Sequence, residues 1–308
     1  MATVFIDGSA GTTGLKIFDR LSQRKDISLI KLPEDLRKDT NARKEAINSA
    51  DIVFLCLPDT AAIEAVGLLE NKNTRIIDTS TAHRTNPDWV YGFAELNRQR
   101  EKIKNARLVA NPGCHASGFI ALINPLVEND IVKKDSLLSC FSITGYSGGG
   151  KKMITEYEDE SKNPLLLAPR QYGLSQMHKH LKEMKEISNL KNAPAFSPIV
   201  APFFSGMEVS ITLFANDIKV AKEDIINTYK SLYTGKIIHF NEGCDEEGFL
   251  SSAAYSGFDD MEISVNGNDE RILLTARYDN LGKGASGAAI QNMNILLGCD
   301  ETEGLLIK

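Results

Sequence analysis

The opening segment restricts the fold most. Thr3-Val-Phe-Ile-Asp7 is a short apolar strand that runs straight into Gly8-Ser-Ala10-Gly11-Thr12-Thr13-Gly14, and a helical pattern (Leu15, Ile17, Phe18, Leu21) follows. Strand, glycine turn and helix in that order make a dinucleotide phosphate cradle, because backbone N–H groups at the helix start can surround a pyrophosphate. The spacing is GxxGxxG rather than the commoner GxGxxG, so the flanking strand and helix carry as much of the reading as the glycines do. Further strands are expected at Ser28–Leu32, Asp51–Leu57 and Arg75–Asp78, with a helix from Thr60 to Glu70. Near-continuous apolar strands alternating with helices predict a doubly wound parallel sheet covered on both faces.

The loop after Leu32 holds Glu34, Asp35, Arg37 and Lys38. An acidic residue there would hold the ribose hydroxyls of NAD and a basic one the extra phosphate of NADP; both kinds are present, so the loop leaves the cofactor open. Asp78-Thr-Ser-Thr-Ala-His-Arg84 leaves the carboxyl end of a strand, where ligands bind in such sheets. Arg84 has the fork for a phosphate or carboxylate, but the same spacing fits an exposed surface arginine. His83 reads as an ordinary loop histidine, and Trp89 and Tyr91 as packing residues.

Asn111-Pro112-Gly113-Cys114-His115 places a tight turn between a strand at Arg107–Ala110 and an apolar helix at Ala116–Val127. Cys114 therefore stands at or beside a helix N-terminus, where unpaired N–H groups and the helix dipole favour the thiolate, the form that attacks acyl carbons. Cys56 reads as core.

Beyond that helix the pattern changes. Leu137–Thr144 alternates like a strand, and Gly145-Tyr-Ser147-Gly148-Gly-Gly-Lys151 reads as a flexible loop whose backbone can close on a ligand. Tyr172 to Glu183 reads as entering a helix. On a helix His178 and His180 would point about 200° apart, so no metal pair is expected, and one of them is left as an acid/base. A strand at Glu208–Phe214, a helix at Ala221–Tyr233 and a hairpin of Met261–Val265 and Arg271–Arg277 around Asn266-Gly-Asn-Asp269 predict an antiparallel sheet in a second, α+β domain. Asp279–Gly287 then opens a helix, Ala288–Leu297, apolar on most sides and so expected to be buried.

Composition excludes some roles. At 308 residues, 42% hydrophobic and 25% charged, the chain is long enough for two cores. Its net charge of −6 argues against nucleic acid as a partner. No basic-then-apolar leader precedes the first strand, and no run of about 18 apolar residues is present to cross a bilayer. The five cysteines are widely spaced and lack a CxxC pair, so neither disulfides nor zinc are expected, and a cytoplasmic location is.

Assembled, these motifs resemble the short-chain N-acetyl-γ-glutamyl-phosphate reductases of the semialdehyde dehydrogenase superfamily, over essentially the whole chain. The likeness rests on Gly8–Gly14, Asp78–Arg84, Asn111–Cys114, Gly145–Lys152, the Tyr172/His178/His180/Glu183 pattern, Asp279–Ala289 and Gln291-Asn-Met-Asn294. It implies a Rossmann-type α/β domain, residues 1–114 with 283–308, and an α+β catalytic and dimerisation domain with a mainly antiparallel sheet, residues 115–282. It implies NADPH/NADP as cofactor and reductive dephosphorylation of N-acetyl-L-glutamyl 5-phosphate in arginine biosynthesis. Cys114 then aligns with the nucleophile and His178 with the acid/base. Gly8, Ala10, Gly11, Thr12, Thr13, Gly14, Arg37 and Asn280 are carried over as cofactor contacts, and Arg84, Ser147 and Gly148 as substrate contacts, with no metal. A homodimer or homotetramer acting on a small molecule is implied, with no nucleic acid or membrane partner. Aspartate-semialdehyde dehydrogenase shares the fold and the chemistry, but its pattern fits the tail and the Tyr/His/His/Glu set less well. A non-catalytic NADP-binding sensor would share only the first domain.

Overall fold

The computed structural model describes residues 1–218 and 220–308, and the chain divides into two compact units. The first is Met1–Pro112 with Ala285–Leu305; the second is Gly113–Gly284 with Leu306–Lys308.

The first unit begins with β1 (Ala2–Asp7), α1 (Thr12–Leu21), β2 (Ile27–Ile30), α2 (Thr40–Ser49) and β3 (Ile52–Leu55). It continues with α3 (Asp59–Gly67), β4 (Arg75–Asp78), β5 (Val90–Tyr91), α4 (Gln99–Lys104) and β6 (Leu108–Ala110). The strands pair in parallel in the order β2-β1-β3-β4-β6-β5. Alternate residues feed two cores: Val4, Ile6, Ile52 and Phe54 on one face, Phe5, Val53 and Leu55 on the other. Ile17 and Leu21 of α1 join the first core, while Ala46 and Ile47 of α2 and Ala62 and Ala65 of α3 join the second. The direction of winding reverses between β1 and β3, so the crevice at their carboxyl ends is the ligand position such a sheet provides. Helix α2 has no expected counterpart in the sequence, because only Ala46 and Ile47 of its ten residues are buried. Its start is fixed instead by Asp39, which accepts a hydrogen bond from the Ala42 N–H at 2.8 Å.

The second unit runs α5 (Cys114–Glu128), β7 (Ser139–Gly145), α6 (Gly150–Glu158), β8 (Arg170–Gln171), α7 (His180–Ile187), β9 (Ala195–Ala201) and β10 (Met207–Phe214). Then come α8 (Lys222–Leu232), β11 (Ile238–Phe240), β12 (Met261–Gly267) and β13 (Arg271–Tyr278). Their sheet has the order β11-β12-β13-β10-β7-β9-β8, parallel at β11/β12 and β7/β9 and antiparallel elsewhere. Helix α5 is its buried axis, with thirteen of its residues from His115 to Val127 inside. It lies so close to the sheet that a Cβ on Gly118 would sit 2.6 Å from the Val209 side chain and 2.7 Å from the Tyr278 hydroxyl.

The stretch Gly145–Lys151 differs from the flexible loop expected. Tyr146–Gly149 forms a 3-10 turn and Gly150 opens α6. Two backbone bonds, Tyr146 N–H to Phe203 O (2.9 Å) and Ser147 N–H to Phe204 O (3.0 Å), hold the turn. The Tyr146 ring stacks on Tyr157 of α6 at 4.7 Å, which composition alone gave no reason to expect.

The last helix, α9 (Gly287–Leu297), belongs to the first unit, with ten buried residues. Ala289, Ile290 and Met293 pack into the core that α1 also lines. Its amides are satisfied in place: Asn292 Nδ2 donates to Gly92 O (2.9 Å) and Asn111 Oδ1 (3.1 Å), and Asn294 Oδ1 accepts from Arg24 (2.5 Å). Leu306–Lys308 go with the second unit, where Leu306 and Asp259 exchange hydrogen bonds.

Candidate active site

Two sets of residues qualify as functional, one in each unit. In the first, the glycine loop is shaped by close approach. Gly8 has φ +88°, and a Cβ there would lie 2.3 Å from the carbonyl oxygen of Cys56, just beyond β3; a Cβ on Gly14 would meet Gly8 O at 2.4 Å. Gly11 precedes α1 with no side-chain cap, and the first turn of that helix has no acidic residue. The Thr12 hydroxyl is buried with no hydrogen-bond partner. Asp7, at the end of β1, is neutralised by Arg43 at 2.9 Å. An uncapped helix start, an unsatisfied hydroxyl and a neutralised carboxylate together fit a pyrophosphate. Arg37 is surface-exposed and 3.7 Å from Glu34.

Three other residues singled out in the sequence are occupied within their own units. Arg84, in the first unit, is buried rather than an exposed surface arginine, and it donates to the carbonyls of Asn111 (2.9 Å) and Thr79 (3.0 Å). His83 is also buried, against the ordinary loop position expected: its Nδ1 meets Asp78 Oδ2 at 2.6 Å, and its ring stacks on Trp89 at 4.1 Å. In the second unit Asn280 donates to the Ser147 hydroxyl (3.0 Å) and accepts from the Gly206 N–H (2.9 Å), beside Gly148.

The second set gathers around the start of α5. Cys114 is the first residue of that helix, after Gly113 in extended conformation. The Gly113 N–H donates to Glu183 Oε1 at 2.8 Å. The helix N-terminus favours a thiolate and the Glu183 carboxylate opposes it, so the helix end alone does not set the charge of the thiol. Tyr278 fixes the backbone, donating its hydroxyl to the Cys114 carbonyl (2.5 Å) and accepting from the Gly118 N–H (3.0 Å). The next side chain, His115, is buried among rings: His178 at 5.5 Å, His180 at 5.7 Å, Phe196 at 5.3 Å and Tyr172 at 6.0 Å. Burial lowers its pKa to about 3. The Cys56 thiol is pushed up to about 12 by burial, in keeping with a core role.

His178 and His180 do not point apart. Helix α7 begins only at His180, so His178 lies outside it and helical spacing does not apply. The two rings meet edge to face at 4.7 Å. His178 Nδ1 accepts the His180 N–H at 3.2 Å, which puts the proton of its neutral ring on Nε2. Burial, then the Lys179 charge, lowers its pKa to about 4. Glu183, Tyr278 and His115 carried no assigned role in the sequence reading. Glu183 was visible there only as part of a pattern, and Tyr278 lay just past the strand expected at Arg271–Arg277 and gave no signal.

Comparison with known proteins agrees with this architecture. The family model of the semialdehyde dehydrogenase dimerisation domain matches residues 114–280, and that of the semialdehyde dehydrogenase NAD binding domain matches residues 29–106, downstream of the glycine loop. Among solved structures, aspartate semialdehyde dehydrogenase II of Vibrio cholerae superposes with a TM-score of 0.73 at 16% identity, covering 97% of this chain and 98% of that one. Aspartate semialdehyde dehydrogenase with NADP from Candida albicans gives 0.66 at 15% identity, covering 96% and 98%. The fold is therefore that of the semialdehyde dehydrogenases. At the level of sequence, N-acetyl-gamma-glutamyl-phosphate reductase 2 of Nostoc sp. strain PCC 7120 is 43% identical over 98% of both chains. The N-acetyl-gamma-glutamyl-phosphate reductase of Brucella anthropi is 46% identical over 96% of this chain and 98% of its own. The chain belongs to the N-acetyl-gamma-glutamyl-phosphate reductase family of the semialdehyde dehydrogenases. A match over the whole length leaves no place for a sensor that shares only the first domain.

Proposed function

We propose that the chain converts N-acetyl-L-glutamyl 5-phosphate to the 5-semialdehyde, with release of phosphate, in arginine biosynthesis. The observation that carries this reading is the setting of Cys114: a cysteine at the start of a buried helix, with the His178 ring edge to face against that of the residue that follows it, His115. Cys114 attacks the acyl carbon through sulfur, the carbon–oxygen bond to phosphate breaks, and the acyl group is held as a thioester. NADPH, when bound at Gly8, Ala10, Gly11, Thr12, Thr13 and Gly14, supplies the reducing equivalent as hydride. His178 takes the thiol proton, and later serves the hydroxyl of the collapsing adduct as Cys114 leaves. To hold that proton on Nδ1, His178 must give up its bond from the His180 N–H, which at 3.2 Å is at the long limit for such bonds. With a pKa near 4 the ring is neutral at rest and a strong acid once protonated.

Choice of NADPH over NADH rests on the family resemblance and on Arg37. Ser147, Gly148 and Arg84 are proposed substrate contacts on the same footing. Self-association as a homodimer or homotetramer is supported by the sheet of the second unit: α5 and α8 lie against it, while Phe141 of β7 and Phe214 of β10 are exposed. No helix among the described residues is long and apolar enough to cross a membrane, which is consistent with the cytoplasmic location proposed.

The substrate decides between this reading and aspartate-semialdehyde dehydrogenase. N-acetylglutamate semialdehyde carries an acetamide where aspartate semialdehyde carries an ammonium, and one more methylene. A methylene alone is worth about 1–3 kcal/mol, and a mismatched buried polar group costs more. Run in reverse with phosphate and NADP, the protein should prefer the N-acetylated substrate at least about a hundredfold in kcat/KM. A preference for aspartate semialdehyde would leave the thioester chemistry standing and remove the pathway assignment.

A further inference from the structure

His178 is carried by a stretch of chain with little apolar contact to hold it. β8 ends at Gln171 and α7 begins at His180, and between them Leu174, Ser175, Gln176 and Met177 are exposed. Yet the His178 ring sits among other rings: Phe196 of β9 edge to face at 5.2 Å, His115 of α5 at 5.5 Å and His180 at 4.7 Å. Some polar contact in the stretch must therefore fix the path of its backbone.

That contact lies on the outer edge of β9. β8 pairs with this edge at Val200 and Ile199, and the Tyr172 N–H then reaches Pro198 O at 3.0 Å. Pro198 has no N–H to return, so the ladder stops there. The next main-chain groups on the edge are both taken by one side chain. Gln176 Nε2 donates to Phe196 O at 2.7 Å, and Gln176 Oε1 accepts from the Phe196 N–H at 2.8 Å. An amide has the same donor and acceptor as a peptide, so Gln176 stands where a strand would. Its own backbone is in the left-handed region, φ +56°, and its N–H closes a turn on Gly173 O at 2.9 Å. A non-glycine residue keeps that conformation where its surroundings over-determine it, and the paired amide bonds do so here.

We propose that Gln176 is a positioning residue for His178: bound to the main chain of Phe196, it sets the backbone just ahead of His178 and holds the histidine ring against the Phe196 ring. The proposal rests on His178 being the acid/base of the reaction above. Burial, then the Lys179 charge, is what lowers the pKa of His178 to about 4. The other titratable groups facing the ring are His115 of α5, Tyr172 and His180. Burial lowers the pKa of His115 to about 3 and raises that of Tyr172, so both are neutral at working pH and neither supplies a charge to replace lost burial. A ring released from Phe196 gains water, and its pKa moves back up.

The test is to titrate the His178 ring by NMR in the full chain, its signal being the one missing from His178→Asn, and to measure turnover beside it. Gln176→Met keeps the length of the side chain and loses both bonds. Its His178 midpoint should rise by about one pH unit or more towards the ordinary histidine value. With the ring less well placed, kcat should fall about tenfold while KM stays within about twofold of the parent's. Gln176→Gly, which takes φ +56° without strain but has no amide, should behave likewise, and it decides alone if Gln176→Met does not fold. An unchanged midpoint in the folded variant overturns the proposal, and so does an unchanged kcat where His178→Asn loses its turnover. Failure of the underlying reading looks different: His178→Asn itself then keeps its turnover, whatever the midpoints of the Gln176 variants.

Discussion

The glycine loop of the first unit and the cluster at Cys114 in the second are both built on the start of a helix, yet they are made of different material. The loop is backbone. Gly8 and Gly14 are there because no side chain fits against Cys56 O and Gly8 O, and the donors it offers are main-chain N–H groups. The cluster is side chain, drawn from α5, the segment ahead of α7, and the strands β7 and β13. A backbone site tolerates change in the residues around it, because the groups that bind are present in every residue. A side-chain site does not, because each function has one bearer.

The sharpest form of that contrast is Cys114→Ser. Its hydroxyl is a far weaker nucleophile than a thiolate at neutral pH, so reductase activity should fall by several orders of magnitude while fold and NADPH binding persist. Steady-state turnover together with a cofactor titration measures both sides at once. Near-full turnover would end the thioester mechanism. Substitutions at Cys56, Cys140 and Cys244 should instead act through stability, since Cys140 and Cys244 are buried and the Cys56 thiol is held up by burial.

Next in size is His178→Asn, expected to lower kcat by about 10²–10⁴-fold. His180→Asn should cost less, although no longer for the reason that the sequence offered. The two rings share one cluster, and what separates them is that His180 supplies a backbone N–H to His178, which any residue can do. The sign of the pH effect follows from the lowered pKa. A base must be neutral, and His178 stays neutral until pH falls to about 4, so kcat/KM should show no break from this residue between pH 5 and 7. A break near the ordinary histidine value, lost in His178→Asn, would show that the ring is less buried in solution than the structure has it. A larger loss for His180→Asn would transfer the role.

The same difference in material explains what could be read in advance. The parallel sheet and the strand–loop–helix were legible because apolar period and glycine placement are local signals, and so was Cys114 at a helix start, set by Pro112 and Gly113. The cluster was not legible, because it depends on contacts between residues far apart in the chain. Nothing near Tyr278 says that its hydroxyl will hold the Cys114 carbonyl 164 positions away. His178 and His180 were misplaced for a related reason: a spacing of two has meaning only once the helix boundary is known, and α7 starts at His180, leaving His178 outside it. Gly145–Lys151 read as a loop because its glycines are visible in the sequence and the Tyr146–Tyr157 stack is not.

Arg37→Ala should have the smallest effect, and it tests the contrast from the other side. Arg37 follows the 3-10 turn Glu34–Leu36, with its side chain 46% exposed and Glu34 at 3.7 Å. An exposed pair of that kind contributes on the order of 0–1 kcal/mol, so Glu34 does not hold Arg37 back from a phosphate. If Arg37 meets the 2′-phosphate of NADPH, it does so in water, where one charged contact is worth little more than the pair it leaves. A pyrophosphate held by the N–H groups of the glycine loop, which no substitution at position 37 removes, would keep most of the affinity. The expected outcome is a KM for NADPH raised about three- to tenfold, a KM for NADH unchanged, and kcat unchanged with either, measured at low and at moderate salt. A loss of a hundredfold or more would mean that a side chain dominates cofactor binding after all, and the distinction between the two sites would fall. An identical response to both cofactors would assign the 2′-phosphate to another residue, with Lys38 the next to test.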